Sequence, residues 1–222
     1  MLQLKKRIRG IIFDLDGTLL NTLPDLHAAV NYALARLSLP LRKLCEIRGM
    51  IGNGASMLIM RALPDNAKNM HAEAMALFSC YYSSHICEKT KTYDEIANLI
   101  TAMQGRCKIG VLSNKPHNAA VEIVRAYFGN NFAPVFGKRE DVPLKPDPAG
   151  ALEIADMWGL PPDEIAMIGD SMPDILTAKA AGMLPIAVTW GYGDINAITL
   201  ECPLICDNAR QLKDMLLQLT AI

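Results

Sequence analysis

Residues 9–22, with the sequence RGIIFDLDGTLLNT, constrain the fold of this chain more than any other stretch. The apolar run at 11–13 combines two β-branched residues with an aromatic residue, which predicts a short buried strand. Asp14 and Asp16 follow at once. Buried carboxylates are unfavourable without a stabilising group, and a bound metal ion or cationic ligand site would supply one. An Asp-Gly pair is also typical of an exposed turn, so the rest of the chain must separate the two alternatives.

The remaining sequence changes character twice. Between residues 22 and 88, apolar residues recur at helical spacing and no convincing strand is present. From residue 93, helical patterns alternate with short apolar runs, which is typical of a parallel sheet covered on both faces. After the first strand, the predicted strands are 107–112, 133–136, 165–168, 184–189 and 203–206. The predicted helices are 24–37, 55–63, 65–88, 93–103, 116–128, 147–158, 173–181 and 208–219.

This order of elements predicts an α/β fold with two parts. The first strand is separated from the others by the all-helical block. We therefore predict a Rossmann-like parallel-sheet core formed by residues 1–20 and 90–222, with an all-helical insertion over 21–89.

Composition excludes several classes of protein. The 222 residues are 51% hydrophobic and 20% charged, so the chain can bury a sizeable core. A net charge of −1 gives no bulk basic field for nucleic acid or an anionic membrane. We expect no secretory signal and no membrane span, because no apolar run is long enough. The six cysteines form no C-x-x-C pair, which favours reduced thiols in a cytoplasmic protein.

Polar side chains follow several of the predicted strands. Because the carboxyl ends of parallel strands meet at one edge of a sheet, we expect these side chains to lie together. Acids alone indicate a metal site, whereas acids with a hydroxyl and a lysine indicate a divalent metal together with a phosphate. Each residue taken singly has an ordinary alternative as a turn, helix or loop residue. The residues concerned are Asp14, Asp16, Ser113, Asn114, Lys115, Lys145, Asp170 and Asp174.

Four motifs carry a resemblance to a known family. In chain order they are DLDGTLLNT from Asp14, VLSNK from Val111, LKPDP from Leu144 and GDSMPD from Gly169. This set resembles the haloacid dehalogenase-like phosphatase superfamily over nearly the whole chain. The helical segment 21–89 resembles the helical cap of that superfamily, and loop 48–54 is most similar to that of the phosphoglycolate phosphatases.

The resemblance implies a role for each acid of the first motif. Asp14 would be the nucleophile that forms an aspartyl-phosphate, and it would also ligate Mg²⁺. Asp16 would protonate the leaving alcohol and then activate water, while its backbone carbonyl would ligate the metal. Lys145 would neutralise the charge of the phosphate and the nucleophile.

The resemblance also implies the other metal ligands and the phosphate-binding residues. Asp170 would ligate Mg²⁺ directly, and Asp174 would orient the ligands or act through a water molecule. Phosphate or substrate contacts are expected from Ser113, Asn114, Gly17 and Arg48.

The expected function is Mg²⁺-dependent hydrolysis of a small-molecule phosphomonoester, with phosphoglycolate as the first choice. A β-phosphoglucomutase-like phosphomutase on the same fold is an alternative, and a phospho-accepting signalling module is an alternative of another class. Phosphonate hydrolases typically lack an acid at the position of Asp16, which argues against them. The sequence leaves a monomer and a homodimer equally open, with a small phosphorylated metabolite as the partner.

Overall fold

The computed structural model describes residues 7–221 and places the first predicted strand in the middle of a parallel sheet. The strands found within these residues are β1 (Gly10–Phe13), β2 (Leu20–Asn21), β3 (Lys91–Thr92), β4 (Lys108–Pro116), β5 (Val135–Lys138), β6 (Ile165–Gly169), β7 (Leu184–Val188) and β8 (Ile205–Cys206). Six of them form the sheet in the order β5-β4-β1-β6-β7-β8, and every neighbouring pair is parallel. The predicted α/β fold with a parallel sheet is confirmed.

Helices cover the sheet and form the block between its first two strands in the chain. Within residues 7–221 they are α1 (Leu23–Arg36), α2 (Leu44–Arg48), α3 (Gly54–Ala62), α4 (His71–Ser84), α5 (Ile96–Met103), α6 (His117–Phe128), α7 (Ala149–Trp158), α8 (Met172–Ala180), α9 (Ile195–Glu201) and α10 (Ala209–Thr220). Short 3-10 turns occupy Asp65–Met70 and Pro162–Glu164. Across the described chain, none of the helices combines the length and the apolar character that crossing a membrane requires.

The segment α1–α4, here called the helical insertion, begins and ends at one small ribbon. Strand β2 precedes it and strand β3 follows it, and the two strands pair antiparallel. A second tie lies beside the ribbon, where the buried Asp25 carboxylate accepts bonds from the backbone of Lys89 and Thr90. The domain boundaries at 20/21 and 89/90 stay a prediction, although the ribbon lies close to both.

The core has two apolar faces because β1 alternates its side chains. Ile11 and Phe13 belong to one buried cluster, while Ile12 belongs to another that includes Ile154 and Trp158 of α7. Strands β1 and β6 are buried along their whole length. A strand with both faces covered reads as a continuous apolar run, which is the pattern seen at 11–13.

Among the predicted elements that were wrong in extent are one strand and one helix next to the site. The predicted strand 107–112 continues to Pro116 as β4, with a shift in its pairing to β5 between Leu112 and Pro116. The predicted helix 65–88 is a 3-10 turn followed by α4. The turn is held by Lys68, whose ammonium donates to carbonyls at the end of α3. That contact between separate elements leaves no trace in the spacing of apolar residues.

Candidate active site

Three neighbouring strands deliver the predicted site residues to one edge of the sheet. β1 lies between β4 and β6, so the segments that follow Phe13, Leu112 and Gly169 come together. Asp14 follows β1, Asp170 follows β6, and Ser113 lies in the last part of β4. The expectation that these strand ends share an edge is therefore met by the topology.

Three buried acids form a cluster at this edge. Asp14, Asp170 and Asp174 each present a carboxylate oxygen within 4.8 Å of the others, and we call them the acid triad. Their side chains are hard oxygen donors of the kind that divalent cations prefer. The one lysine at the triad cannot balance three carboxylates, so the donor set fits a divalent metal ion. Burial, and then the negative charge of Asp174, raise the pKa of Asp170 to about 6.

Lys145 is the cation of the triad. Its ammonium donates to Asp14 Oδ1 at 2.6 Å, to Asp174 Oδ1 at 2.5 Å and to the Leu112 carbonyl at 2.9 Å. Burial acts to lower the pKa of Lys145, but the two carboxylates outweigh it and raise that pKa above its ordinary value. For the carboxyl group of Asp14 burial has the opposite effect and raises the pKa, and Lys145 opposes that rise only in part. Lys145 therefore stays charged, and Asp14 depends on nearby positive charge to remain ionised.

The loop after β1 holds Asp170 in place. Gly17 has φ +99°, and a side chain at that position would collide with the Asp170 carboxylate. Thr18 donates its hydroxyl to Asp170 Oδ1 at 2.9 Å, and the Tyr192 backbone N–H donates to Oδ2 at 2.7 Å. Both carboxylate oxygens of Asp170 are thus fixed from opposite loops.

Asp174 is fixed by the start of helix α8. Ser171 is the N-cap residue, and its backbone N–H and hydroxyl both donate to Asp174 Oδ2, at 3.0 and 2.5 Å. This is a capping box, which places a carboxylate at the positive end of the helix. Asp174 is therefore held rigidly on one oxygen and bonded to Lys145 through the other.

Asp16 occupies a different environment from the triad. Its Oδ1 accepts a hydrogen bond from the Thr22 hydroxyl at 2.5 Å and another from the Lys115 ammonium at 2.8 Å. The two acids of the first motif, separated by one residue, thus pair with different lysines: Asp14 with Lys145 and Asp16 with Lys115. This separation is what two acids with different chemical tasks require.

Lys115 is a site residue whose role sequence reasoning missed. Its side chain is only 2% exposed, and its ammonium lies 4.9 Å from the centroid of the Tyr82 ring on helix α4. Lys115 is the last residue of the VLSNK motif. A lysine at the end of an apolar strand is therefore the sequence feature that could have identified it as a site residue. Its partner Tyr82 lies within the helix predicted over 65–88, where nothing in the sequence marks it as a site residue.

A cavity of about 70 Å³ lies between this edge and the helical insertion. The sheet side contributes Asp14, Asp16, Ser113, Lys115, Lys145 and Asp170, whereas the insertion side is mostly apolar. One water molecule needs roughly 10–15 Å³ of such space, so the cavity suits a ligand of a few heavy atoms. The apolar side chains of the insertion that face it include Leu26, Leu58 and Phe78.

Of the remaining predicted residues, some line the cavity and others form contacts between the insertion and the sheet side. Ser113 lines the cavity, and its hydroxyl accepts a bond from the Lys115 backbone at 3.2 Å. The Asn114 amide donates to the Gly52 and Lys145 carbonyls, both at 3.0 Å, which ties the insertion to the sheet. Arg48 is exposed and donates to the Gly191 carbonyl at 2.6 Å. It is not among the residues that line the cavity, so its contact with substrate stays a prediction.

The fold and the acid cluster define a class of protein that comparison with known families also finds. Residues 8–182 match the family model described as haloacid dehalogenase-like hydrolase. The chain belongs to that family of hydrolases.

Individual relatives point to one group within the family. The chain is 35% identical over 214 residues to Phosphoglycolate phosphatase 1 of Pseudomonas aeruginosa, covering 92% of this chain and 78% of that protein. It is 34% identical over 217 residues to the phosphoglycolate phosphatase of Haemophilus influenzae, covering 92% and 96%. A solved structure of a predicted phosphoglycolate phosphatase from Haemophilus somnus superposes with a TM-score of 0.87. That pair shares 28% identity and covers 95% of this chain and 99% of the other.

Proposed function

We propose that this chain is a Mg²⁺-dependent phosphatase that hydrolyses a small phosphomonoester, phosphoglycolate first, through an aspartyl-phosphate on Asp14. The observation that carries the proposal is the bond from the Lys145 ammonium to Asp14 inside a buried acid triad. That arrangement places a carboxylate at the cavity wall in contact with a cation that favours its ionised form. A cytoplasmic location goes with it, as expected from the reduced cysteines.

Asp14 is the proposed nucleophile. One of its oxygens bonds to Lys145, and the side chain is among those that line the cavity. Attack on phosphorus forms the bond from the carboxylate oxygen to phosphorus and breaks the bond from phosphorus to the ester oxygen. Lys145 neutralises negative charge on Asp14 and on the phosphoryl oxygens as these bonds change.

The proposed metal ligands are the carboxylates of Asp14 and Asp170 with the backbone carbonyl of Asp16. Asp174 orients the set or binds through water, in agreement with its two fixed oxygens. Mg²⁺ is preferred over larger cations because it takes few protein carboxylates and keeps waters and a phosphate oxygen as ligands. When bound, it supplies positive charge to the phosphate and to the triad.

Asp16 is the proposed acid and base. It holds the proton that passes to the leaving alcohol oxygen, and afterwards it takes a proton from the water that attacks the aspartyl-phosphate. Thr22 and Lys115 fix its orientation, and its side chain lies apart from the acid triad. Ser113, the Asn114 backbone and the side-chain-free Gly17 would surround the phosphate oxygens.

The substrate assignment rests on the cavity and on the relatives. A cavity of about 70 Å³ beneath the insertion suits a short metabolite and not a macromolecule. The relatives named phosphoglycolate phosphatase match most of this chain at 34–35% identity. A phosphomutase on the same fold would need room to release and rebind a sugar bisphosphate, and no feature of this cavity favours it.

The direct test is phosphate release from phosphoglycolate by the purified protein with Mg²⁺ present. Asp14→Asn should lower kcat by roughly a thousandfold or more, while circular dichroism stays unchanged. Asp65→Asn is the matched control, because that side chain is fully exposed on the insertion, and it should retain wild-type activity. Near-normal turnover in Asp14→Asn would refute the nucleophile, and formation of an isomerised sugar phosphate would favour the phosphomutase.

A further inference from the structure

The cavity contains a second cation, for which the proposed hydrolysis accounts only as a group that positions Asp16. Of the described residues that line it, the cationic ones are Lys115 and Lys145. Lys145 is held by Asp14, Asp174 and the Leu112 carbonyl. Lys115 forms its ion pair with Asp16. The other side of its ammonium lies against the Tyr82 ring, on the insertion side of the cavity.

The Tyr82 hydroxyl beside Lys115 lacks an acceptor for its proton. Tyr82 is 5% exposed and lines the cavity. Within residues 7–221 the group that its hydroxyl interacts with is the Lys115 ammonium, which is itself a donor, and the hydroxyl proton has no acceptor. A buried hydroxyl without a partner loses free energy, and native proteins rarely leave one in that state. Burial raises the pKa of Tyr82 to about 12, so the hydroxyl keeps its proton and can donate it in a hydrogen bond.

We propose that Lys115 and Tyr82 form a second anion subsite, which binds the carboxylate of a short phosphorylated 2-hydroxy acid while the phosphate lies at Asp14. This inference rests on the proposed phosphatase function and names the residues that select its substrate. A carboxylate is an acceptor with several lone pairs, so it can satisfy the ammonium and the tyrosine hydroxyl together.

The contact between Lys115 and Asp16 relates the position of the substrate carboxylate to that of the substrate ester oxygen. Lys115 Nζ lies 2.8 Å from Asp16 Oδ1, and Asp16 is the group that gives its proton to the ester oxygen. An acceptor that bonds to Lys115 is therefore connected to that oxygen through Asp16 by a short chain of hydrogen bonds, a range that includes the spacing in phosphoglycolate. Longer acids would place their carboxylate against the apolar wall of Leu26, Leu58 and Phe78, where no charge balances it.

The apolar wall also strengthens the subsite. A charge pair that is shielded from water attracts more strongly than an exposed one, and an unpaired polar group there is costly. A site built in this way discriminates strongly against a substrate that lacks the acceptor, because its own polar groups are then left unpaired.

The experiment compares 2-phosphoglycolate with ethyl phosphate, in which a methyl group replaces the carboxylate. The measured quantity is the ratio of kcat/KM for the two substrates with Mg²⁺ present. Wild-type protein should favour phosphoglycolate by at least about a hundredfold. Lys115→Met should lower that ratio by roughly tenfold to a hundredfold, and Tyr82→Phe by roughly threefold to tenfold. Lys115→Arg should recover part of the preference.

The ratio of kcat/KM for the two substrates distinguishes substrate selection by Lys115 from a role in which Lys115 only positions Asp16. If Lys115 only positions Asp16, Lys115→Met will slow both substrates equally and the ratio will stay at the wild-type value, which overturns the proposal. Lys179→Met is the charge control, because that lysine pairs with exposed Glu201 outside the cavity and should leave the ratio unchanged. Should Lys115→Met fail to fold, an unchanged ratio in Tyr82→Phe and Lys115→Arg overturns the subsite.

The proposed function fails in a different way. If the wild-type protein hydrolyses neither substrate nor p-nitrophenyl phosphate, the phosphatase activity itself is refuted and the subsite falls with it. If it hydrolyses phosphoglycolate and ethyl phosphate equally well, the phosphatase stands and the carboxylate subsite alone is overturned.

Discussion

The two walls of the cavity are built in opposite ways. On the sheet side, charged groups are buried, and each carboxylate of the acid triad is bonded to a lysine, a hydroxyl or a backbone N–H. On the insertion side, the wall is apolar apart from a few backbone groups and the Tyr82 hydroxyl. A preorganised charged wall suits a reaction at phosphorus, and an apolar wall suits exclusion of water and of larger polar substrates.

The two walls meet at a small number of contacts. Asn114 bonds to Gly52, Arg48 bonds to Gly191, and Lys115 lies over the Tyr82 ring. In the proposed function, the sheet side carries the chemistry at phosphorus, while the insertion and its contacts carry the selection of substrate. Variants on the two sides should differ in kind: loss of turnover on one, and a change of preference on the other.

The largest expected effect is on the sheet side. Lys145→Met removes the cation that bonds to Asp14 and Asp174, and it leaves these buried carboxylates without that partner. We expect turnover to be lost and the free energy of unfolding to fall by about 3–5 kcal/mol. Chemical denaturation without metal measures this loss, and Mg²⁺ should restore part of the stability. Lys179→Met, which removes an exposed charge, is the control, and equal stability of the two variants would contradict the account.

A second effect on the sheet side is a pH-dependent metal affinity. Without metal, Asp170 has a pKa raised to about 6, so the folded chain holds a proton there that the unfolded chain has already lost. Stability without metal therefore falls as pH rises through about 6, and metal binding requires the ionised form. Mg²⁺ affinity, measured by calorimetry on both sides of pH 6, should weaken by about tenfold per pH unit below it.

The variant Thr18→Val tests the same pH dependence more closely. The Thr18 hydroxyl stabilises the ionised form of Asp170, so its removal should move the midpoint of Mg²⁺ affinity against pH to higher pH. Thr189→Val is a suitable control, since that hydroxyl bonds to exposed Asp207. An affinity for Mg²⁺ that does not change across this pH range would contradict the displacement of a proton from Asp170 by the metal.

The smallest effect is expected at the contact between the walls. Arg48 is exposed and bonds to the Gly191 carbonyl, so Arg48→Met should change kcat/KM for phosphoglycolate by about fivefold at most. The reason is that an exposed hydrogen bond contributes about 1 kcal/mol. A loss above about a hundredfold would place the guanidinium on the substrate, as the sequence comparison implied. Arg61→Met, at another exposed arginine of the insertion, is the control.

The sheet side was predictable from sequence and the insertion side largely was not. Asp14 and Asp170 follow directly from strand order, because parallel strands bring their carboxyl ends to one edge. Lys145 lies in the loop between β5 and α7, and its role came from the resemblance of the LKPDP motif. Lys115 at the end of β4 and Tyr82 on α4 meet through tertiary packing of the insertion, and no local pattern encodes that contact. The helix predicted over 65–88 was wrong for the same reason, since Lys68 forms its bonds with another helix. Helices α2 and α9 escaped notice because five and seven residues carry little periodicity.

The central claim is that Asp14 carries the phosphoryl group during turnover. It is tested by acid-quenching the protein during hydrolysis of phosphoglycolate and locating phosphate on its peptides by mass spectrometry. We predict phosphate on Asp14 in the wild-type protein with Mg²⁺, and none there without substrate or in Asp14→Asn. Active turnover with phosphate on another residue, or with unmodified Asp14 at every quench time, would contradict the account.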